Sequence, residues 1–197
     1  MNSLKQVLRH LPRWPGRSMD WNESYKNGRW MYLRGLPELG HYSIIAGYLG
    51  TVAPRGSVLD IGCGEGLLCR LLPAAPALEY TGIDLSSRAI DAARAEFSAA
   101  GRSFVCADFC HYQPERSWDA IVFNESLYYA PEPRLVLTRY ARYLKPNGVF
   151  VISMYLPRRA RAWQAVGEVC RTLDEVSVRH ANGTTWICRL AQPSLES

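Results

Sequence analysis

No apolar run in this 197-residue chain approaches the roughly 18–20 residues that cross a bilayer. The first stretch, MNSLKQVLRHLPRW, is interrupted by Lys5, Arg9, His10 and Pro12 and lacks the apolar core of a secretory signal, so a cytoplasmic location is expected. The six cysteines (Cys63, Cys69, Cys106, Cys110, Cys170, Cys188) never form a C-x-x-C pair. That argues against a metal site and for reduced thiols in a core. Internal repeats and low-complexity tracts are absent too. What remains is 48% hydrophobic and 21% charged, which fits one globular domain and is too short for two ordinary ones. The net charge of +5 favours anionic partners in principle, but the arginines are dispersed, and the densest group, Arg158, Arg159 and Arg161, is short.

From Ser57 onward, apolar strand-like runs alternate with helix-like segments. Val58–Ile61, Tyr80–Ile83, Ser103–Cys106, Asp119–Phe123 and Val149–Met154 read as strands. Leu67–Leu72, Ser87–Ala100 and Arg134–Tyr143 read as helices, the last closed by a Lys-Pro-Asn-Gly turn at 145–148. Near-continuous apolar strands separated by helices mean a parallel sheet covered on both faces. Glu175–His180 and Thr184–Leu190 flank Asn182-Gly183, which predicts a closing antiparallel hairpin. Before Ser57 lie amphipathic helical pieces around Leu4–Leu11 and Tyr42–Leu49, and a crowd of aromatics: Trp21, Tyr25, Trp30, Tyr32 and Tyr42.

The most informative stretch is SVLDIGCGEG at 57–66. A strand running straight into alternate glycines must reverse sharply, and bare backbone lets a ligand lie against the chain. The amides that follow suit a ligand carboxylate or phosphate. The spacing is G-x-G-x-G, not the G-x-G-x-x-G of dinucleotide binders, and Asp60 and Glu65 beside it would repel a pyrophosphate. A positively charged ligand tolerates them. Asp84 in YTGIDLS and Asp108 in CADF end the next two strands. A carboxylate at the first position can accept both ribose hydroxyls, and one at the second can accept from an adenine amino group with Phe109 against the base.

Together LDIGCGEG, GIDLS, CADF, FNESLYYA and LKPNGVFVIS resemble the class I S-adenosylmethionine-dependent methyltransferases over about residues 50–190. NESLYYA is similar to small bacterial enzymes of the nodulation N-methyltransferase type. The resemblance implies an α/β, Rossmann-like, doubly wound and mostly parallel seven-stranded sheet of order 3-2-1-4-5-7-6. It divides the chain into an N-terminal helical lid at 1–50 and a cofactor-binding core at 51–197. It implies S-adenosylmethionine as cofactor, leaving S-adenosylhomocysteine as product. Gly62 and Gly64, with Asp60 and Cys63 in the same loop, then line its methionine part. Asp84 with Leu85 takes the ribose, and Ala107, Asp108 and Phe109 take the adenine.

The methyl lies before the residues that follow the fourth strand, Asn124, Glu125, Ser126, Leu127, Tyr128 and Tyr129. Neither the N/D-P-P-Y/F motif of amino-methylating nucleic-acid enzymes nor a Pro-Cys nucleophile is present, which lowers the nucleic-acid reading. Glu125 either orients or deprotonates an acceptor, or only bonds the methionine amino group or caps the next helix. His41 and Tyr128 stand beside it as catalytic candidates, and His111 and His180 are weaker ones. Tyr25 and Trp30 are expected to close over the sulfonium by cation–π attraction, with core packing as the competing reading. Tyr129, Tyr155 and Arg158 are the acceptor-side candidates, the arginine for a carboxylate or phosphate. The expected partner is a small methyl acceptor, with no nucleic acid and no membrane span. Alternatives are an RNA or protein methyltransferase, or a non-catalytic partner-activating module of the same fold.

Overall fold

The structure is a computed structural model and describes residues 20–73, 78–156 and 160–194. Seven strands form one sheet: β1 Ser57–Ile61, β2 Glu79–Asp84, β3 Arg102–Cys106, β4 Trp118–Asn124, β5 Leu144–Tyr155, β6 Cys170–Arg179 and β7 Thr185–Pro193. Their order is β3-β2-β1-β4-β5-β7-β6, with β7 antiparallel to both of its neighbours and the other pairs parallel. Among the described residues five α-helices accompany it: α1 Trp21–Lys26, α2 Leu36–Val52, α3 Ser87–Phe97, α4 Pro133–Ala141 and α5 Ala160–Val169.

The alternation of side chains along each strand sorts the core into two layers. Leu59, Ile61, Ile121, Phe123, Phe150 and Ile152 face α4 and α5, while Val58, Ala120, Val122 and Val151 face α2 and α3. Each helix supplies one apolar stripe: Ala89, Ile90 and Ala93 on α3, and Val136, Leu137 and Tyr140 on α4. Pro133 at the start of α4 and Ser86, whose side chain caps α3 by accepting from the Ala89 amide, set where those helices begin. On α2 the buried stripe reads Glu38, His41, Ile45, Leu49, so two ionisable residues occupy apolar-face positions.

Three local expectations change. Leu67–Leu72 is not an α-helix but a 3-10 turn over Leu67–Arg70, because Pro73 cannot continue a helix and disfavours helical angles just before itself. Lys145–Gly148, expected as the turn that closes α4, lies inside β5 as a bulge: Trp118 pairs with Leu144 and Ala120 with Val149, and Asn147 takes a φ of 66°. Helix α5 is an element the sequence reading does not name. The segment around Leu4–Leu11 lies outside the described residues.

Phe123 anchors the α4 side, edge-on to Tyr140 at 5.7 Å and tilted against Phe150 at 6.1 Å. Phe123→Ala is expected to cost about 3–5 kcal/mol, read as a lower urea midpoint at unchanged slope.

Candidate active site

The strands β1, β2 and β4 deliver their C-terminal ends to one place. Gly62 and Cys63 amides donate to the Ile83 carbonyl at 2.8 and 2.9 Å, which lays the loop after β1 across the end of β2. The Gly64 amide then donates to Asp84 Oδ2 at 2.9 Å, and Ser86 N to Oδ1 at 2.8 Å. Gly62 and Gly64 have φ of 75° and 55°. A Cβ on Gly62 would stand 2.6 Å from Ser126 Cβ, and one on Gly64 2.8 Å from Tyr25 Oη. Bare backbone is therefore required for the loop to meet both the exit of β4 and the aromatic cover. No helix N-terminus of useful length follows the loop, since the 3-10 turn has four residues.

A cavity of about 350 Å³ opens at these strand ends. The loop residues Asp60, Gly62, Cys63 and Gly64 line it, as do Asp84 and Leu85 from β2's end, and Asp108 and Phe109 beyond β3. Asn124, Glu125, Ser126, Tyr128 and Tyr129 follow from β4, and Tyr155 from β5. Tyr25 and Trp30 cover it. Ala107 is not on the wall; its amide donates to the Asp84 carbonyl at 2.9 Å and sets the turn before Asp108. Arg158 lies outside the described residues. The cover is tied down at two points. Asn22 Oδ1 accepts from Ser86 Oγ at 2.8 Å and from the Arg88 amide at 3.2 Å. Arg34 reaches Glu65 at 2.8 Å and Glu96 at 3.0 Å.

The histidine expectations need correction. His41 is 0% exposed, lies off the cavity wall, and is stacked between Tyr42 at 4.7 Å and Trp186 at 4.8 Å. Burial holds its pKa down to about 3, so it is a neutral core ring, not a base reaching an acceptor. His180 is also off the wall, near the hairpin tip; His111 is on it, beside Asp108 Oδ2 at 2.8 Å.

Several wall residues escaped the sequence reading: Glu38, Thr184 and Trp186 most of all. Glu38 had a signal, an acid in line with the apolar stripe of α2. Trp186 had none, because strand alternation does not say which inward residue ends up under the lid.

The electrostatics are one-sided. Glu38, Asp60, Glu65, Asp84, Asp108 and Glu125 line the cavity, and among the described residues no lysine or arginine does. Asp60 accepts from Tyr80 Oη at 2.6 Å, yet burial, with Asp84 adding to it, pushes its pKa up to about 7. Burial also raises Asp84, against the pull of the Ser86 and Gly64 amides. Glu38 is pushed up to about 8, first by burial and then by the charge on Glu125. Asp60 Oδ1, Asn124 Oδ1 and Ser126 Oγ are buried with no hydrogen-bond partner among the described residues. Unmet acceptors among carboxylates fit a ligand that donates hydrogen bonds and carries positive charge, as a sulfonium nucleoside does; they do not fit a pyrophosphate.

The family model described as a methyltransferase domain matches residues 32–192. A fatty-acid O-methyltransferase of Mycolicibacterium smegmatis is 35% identical over 130 residues, which is 61% of this chain and 46% of that protein. A ribosomal protein L11 methyltransferase of Burkholderia pseudomallei is 32% identical over 140 residues, 70% of this chain and 43% of that one. The matched stretch is thus less than half of either relative. Among solved structures, the N-methyltransferase NodS from Bradyrhizobium japonicum in complex with S-adenosylhomocysteine superposes with a TM-score of 0.67. It is 18% identical and covers 96% of this chain and 98% of its own, a likeness of fold.

Asp60 makes a test of the electrostatics. Its folded pKa near 7 lies above the ordinary carboxylate value, so the folded state holds an extra proton between about pH 4 and 7 and stability falls as pH rises through that window. Asp60→Asn keeps the Tyr80 bond and is expected to raise Tm by roughly 3–6 °C at pH 8 and leave it unchanged at pH 4. Melting curves across that range check it; Glu38 retains part of the slope in both proteins.

Proposed function

The chain belongs to the methyltransferase-domain family, and on that footing we propose that it catalyses S-adenosylmethionine-dependent methyl transfer to an oxygen or nitrogen of a small acceptor. The observation that carries this is the row of acids at successive strand ends, under an aromatic cover, with no lysine or arginine from the described residues on the wall. Bound there, S-adenosylmethionine supplies an electrophilic methyl on a sulfonium, so the protein needs no electrophile of its own.

In this reading Asp84 receives the ribose hydroxyls with the lone pairs its two amide donors leave over. Asp108 and Phe109 take the base, with the Asp108 carboxylate already held by the Cys110 amide at 2.8 Å. Asn124 and Ser126 offer their unmet oxygens at the β4 exit. Tyr25 and Trp30 exclude water and place aromatic faces near the positive charge, a contribution of about 0.5–2 kcal/mol. Glu125 holds the acceptor end, with Oε2 accepting from Tyr128 Oη at 2.8 Å and Oε1 from the Tyr155 amide. Tyr129 and Tyr155 flank the acceptor. Among the described residues the cover is the stretch 20–35, while α2, placed in the lid by the sequence, packs on the sheet through Ile45 and Leu49 and belongs to the core; the protein works in the cytoplasm.

A cavity of about 350 Å³ roofed by residues that the loop and α3 tie in place favours a small acceptor over a macromolecule. The intact glycines and Asp84 speak against a non-catalytic module. Purified protein with methyl-labelled S-adenosylmethionine is expected to label the metabolite fraction of a cell extract. Label in the RNA or protein fraction instead would overturn the small-acceptor reading.

The cofactor assignment has its own check. Calorimetry is expected to show S-adenosylhomocysteine binding to the wild type and about 10–100-fold weaker binding to Asp84→Ala, the worth of its charged hydrogen bonds. Unchanged affinity would remove Asp84 from the ribose site.

A further inference from the structure

Resting on that reading, we propose that the acceptor is an amine, received as its ammonium form by the paired carboxylates of Glu38 and Glu125 inside a box of Tyr32, Tyr42, Tyr128 and Trp186. Of the six acids on the wall, three sit at the cofactor strand ends and Glu65 is engaged by Arg34. Glu38, on α2, and Glu125, after β4, line the same cavity.

Their environments differ in an informative way. Glu125 is fixed. It adopts φ 53°, a left-handed conformation that non-glycine residues rarely take, and its carboxylate is held by Tyr128 and the Tyr155 amide. Glu38 is 4% exposed and on the cavity wall, and no hydrogen bond among the described residues satisfies its carboxyl. Among the described residues its ion-pair partner is His41 Nδ1 at 3.9 Å, which is held neutral and so supplies no countercharge. A buried carboxyl with a like charge nearby and no cation beside it among the described residues is a half-built ion pair. A cation entering the cavity completes it.

The rings complete the argument. Tyr32, Tyr42, Tyr128 and Trp186 all line the cavity, and Tyr42 and Trp186 are bridged behind it by the His41 ring stacked on both. Burial and the neighbouring carboxylates raise Tyr32 and Tyr42 far above the ordinary phenol range, so both stay neutral and present rings, not charge. Neutral aromatic faces beside carboxylates suit an ammonium and reject a carboxylate or phosphate. Once docked, the ammonium loses one proton to Glu38: an N–H bond breaks, an O–H bond forms, and nitrogen keeps the electron pair it needs as nucleophile. The pKa of Glu38, pushed up to about 8, makes it a stronger base than an exposed glutamate.

The test uses three probes of one shape, benzylamine, benzyl alcohol and benzoate, at pH 8 with S-adenosylhomocysteine present. Entry is followed by tryptophan emission, since Trp30 and Trp186 line the cavity. Benzylamine is expected to bind at least 10-fold tighter than benzyl alcohol, and benzoate weakest. Glu38→Gln mimics the neutral acid and should fold; it is expected to weaken benzylamine about 10-fold and leave benzyl alcohol and S-adenosylhomocysteine within 2-fold. Equal affinities, preference for benzoate, or no binding of any probe while S-adenosylhomocysteine binds would each overturn the amine and leave the methyl-transfer reading standing. If Glu38→Gln weakens S-adenosylhomocysteine as much as benzylamine, Glu38 serves the cofactor and the amine box is wrong. Failure of the wild type to bind S-adenosylhomocysteine would sink both readings.

Discussion

The carboxylate of Asp84 is the joint on which the site is built. One oxygen holds the Gly64 amide of the loop after β1, and the other holds the Ser86 amide at the start of α3. Ser86 in turn caps α3 and gives its hydroxyl proton to Asn22 of the cover. One side chain at the end of one strand thus fixes the glycine loop, the next helix and, through one further bond, the lid. Burial works against its charge and the amides work for it. Charge-assisted bonds of this kind are among the stronger ones a protein makes, and losing them leaves a buried acid uncompensated.

That arrangement explains how a chain of net charge +5 encloses an acidic hole. Two arginines near the cover are paired with glutamates: Arg34 with Glu65 and Glu96, and Arg70 with Glu96 at 3.1 Å. They fasten the cover to the loop and α3, while aromatic rings take the inward places. Trp30 is within 6.2 Å of Tyr25 and Tyr32, Trp21 stacks on Trp30 at 6.0 Å, and Trp21 meets Tyr129 edge-on at 4.9 Å. The lid is therefore joined to the β4 exit through ring contacts as well as to α3 through Asn22. Positive charge on the surface and negative charge in the hole are separate designs, and only the second bears on what is bound.

Much of the sheet was legible because its strands are buried on both faces and read as apolar runs bounded by acids and glycines. The acids at the strand ends were legible for the same reason, since a charge closing an apolar run has few structural uses. Asn182-Gly183 announced the hairpin. The misses share a cause. Leu67–Leu72 has helical residues but meets Pro73, and a turn of four residues needs less than a helix does. His41 carried the chemistry of a base, and only tertiary packing between Tyr42 and Trp186 removes it from the site. Glu38 stood on a helix whose neighbours are apolar, where a charge reads as surface until the partner face is known. Which inward side chains of β5 and β7 meet the cavity depends on where the sheet ends under the lid, and no local pattern encodes that.

Glu125 shows what the acceptor end costs and why it persists. A left-handed non-glycine residue carries strain of roughly 1–3 kcal/mol, and such a residue survives only where its surroundings over-determine it. Here they do: its amide donates to the Ser153 carbonyl at 2.8 Å, and its carboxylate is held from β5 and from Tyr128. Glycine at 125 would relieve the backbone but abolish the carboxylate; aspartate would keep the charge but shorten its reach. The strained glutamate is thus the residue that fixes a carboxyl at the mouth of β4, on the wall of the same cavity as Glu38 of α2. Two acids arranged in this way weaken the empty protein, since each opposes the charge of the other. A fold selected for stability alone would replace Glu38 with leucine and extend the stripe of Ile45 and Leu49. A proton relieves that repulsion in the empty protein, which is why the Glu38 pKa rises to about 8, and a bound cation would relieve it while keeping the charge.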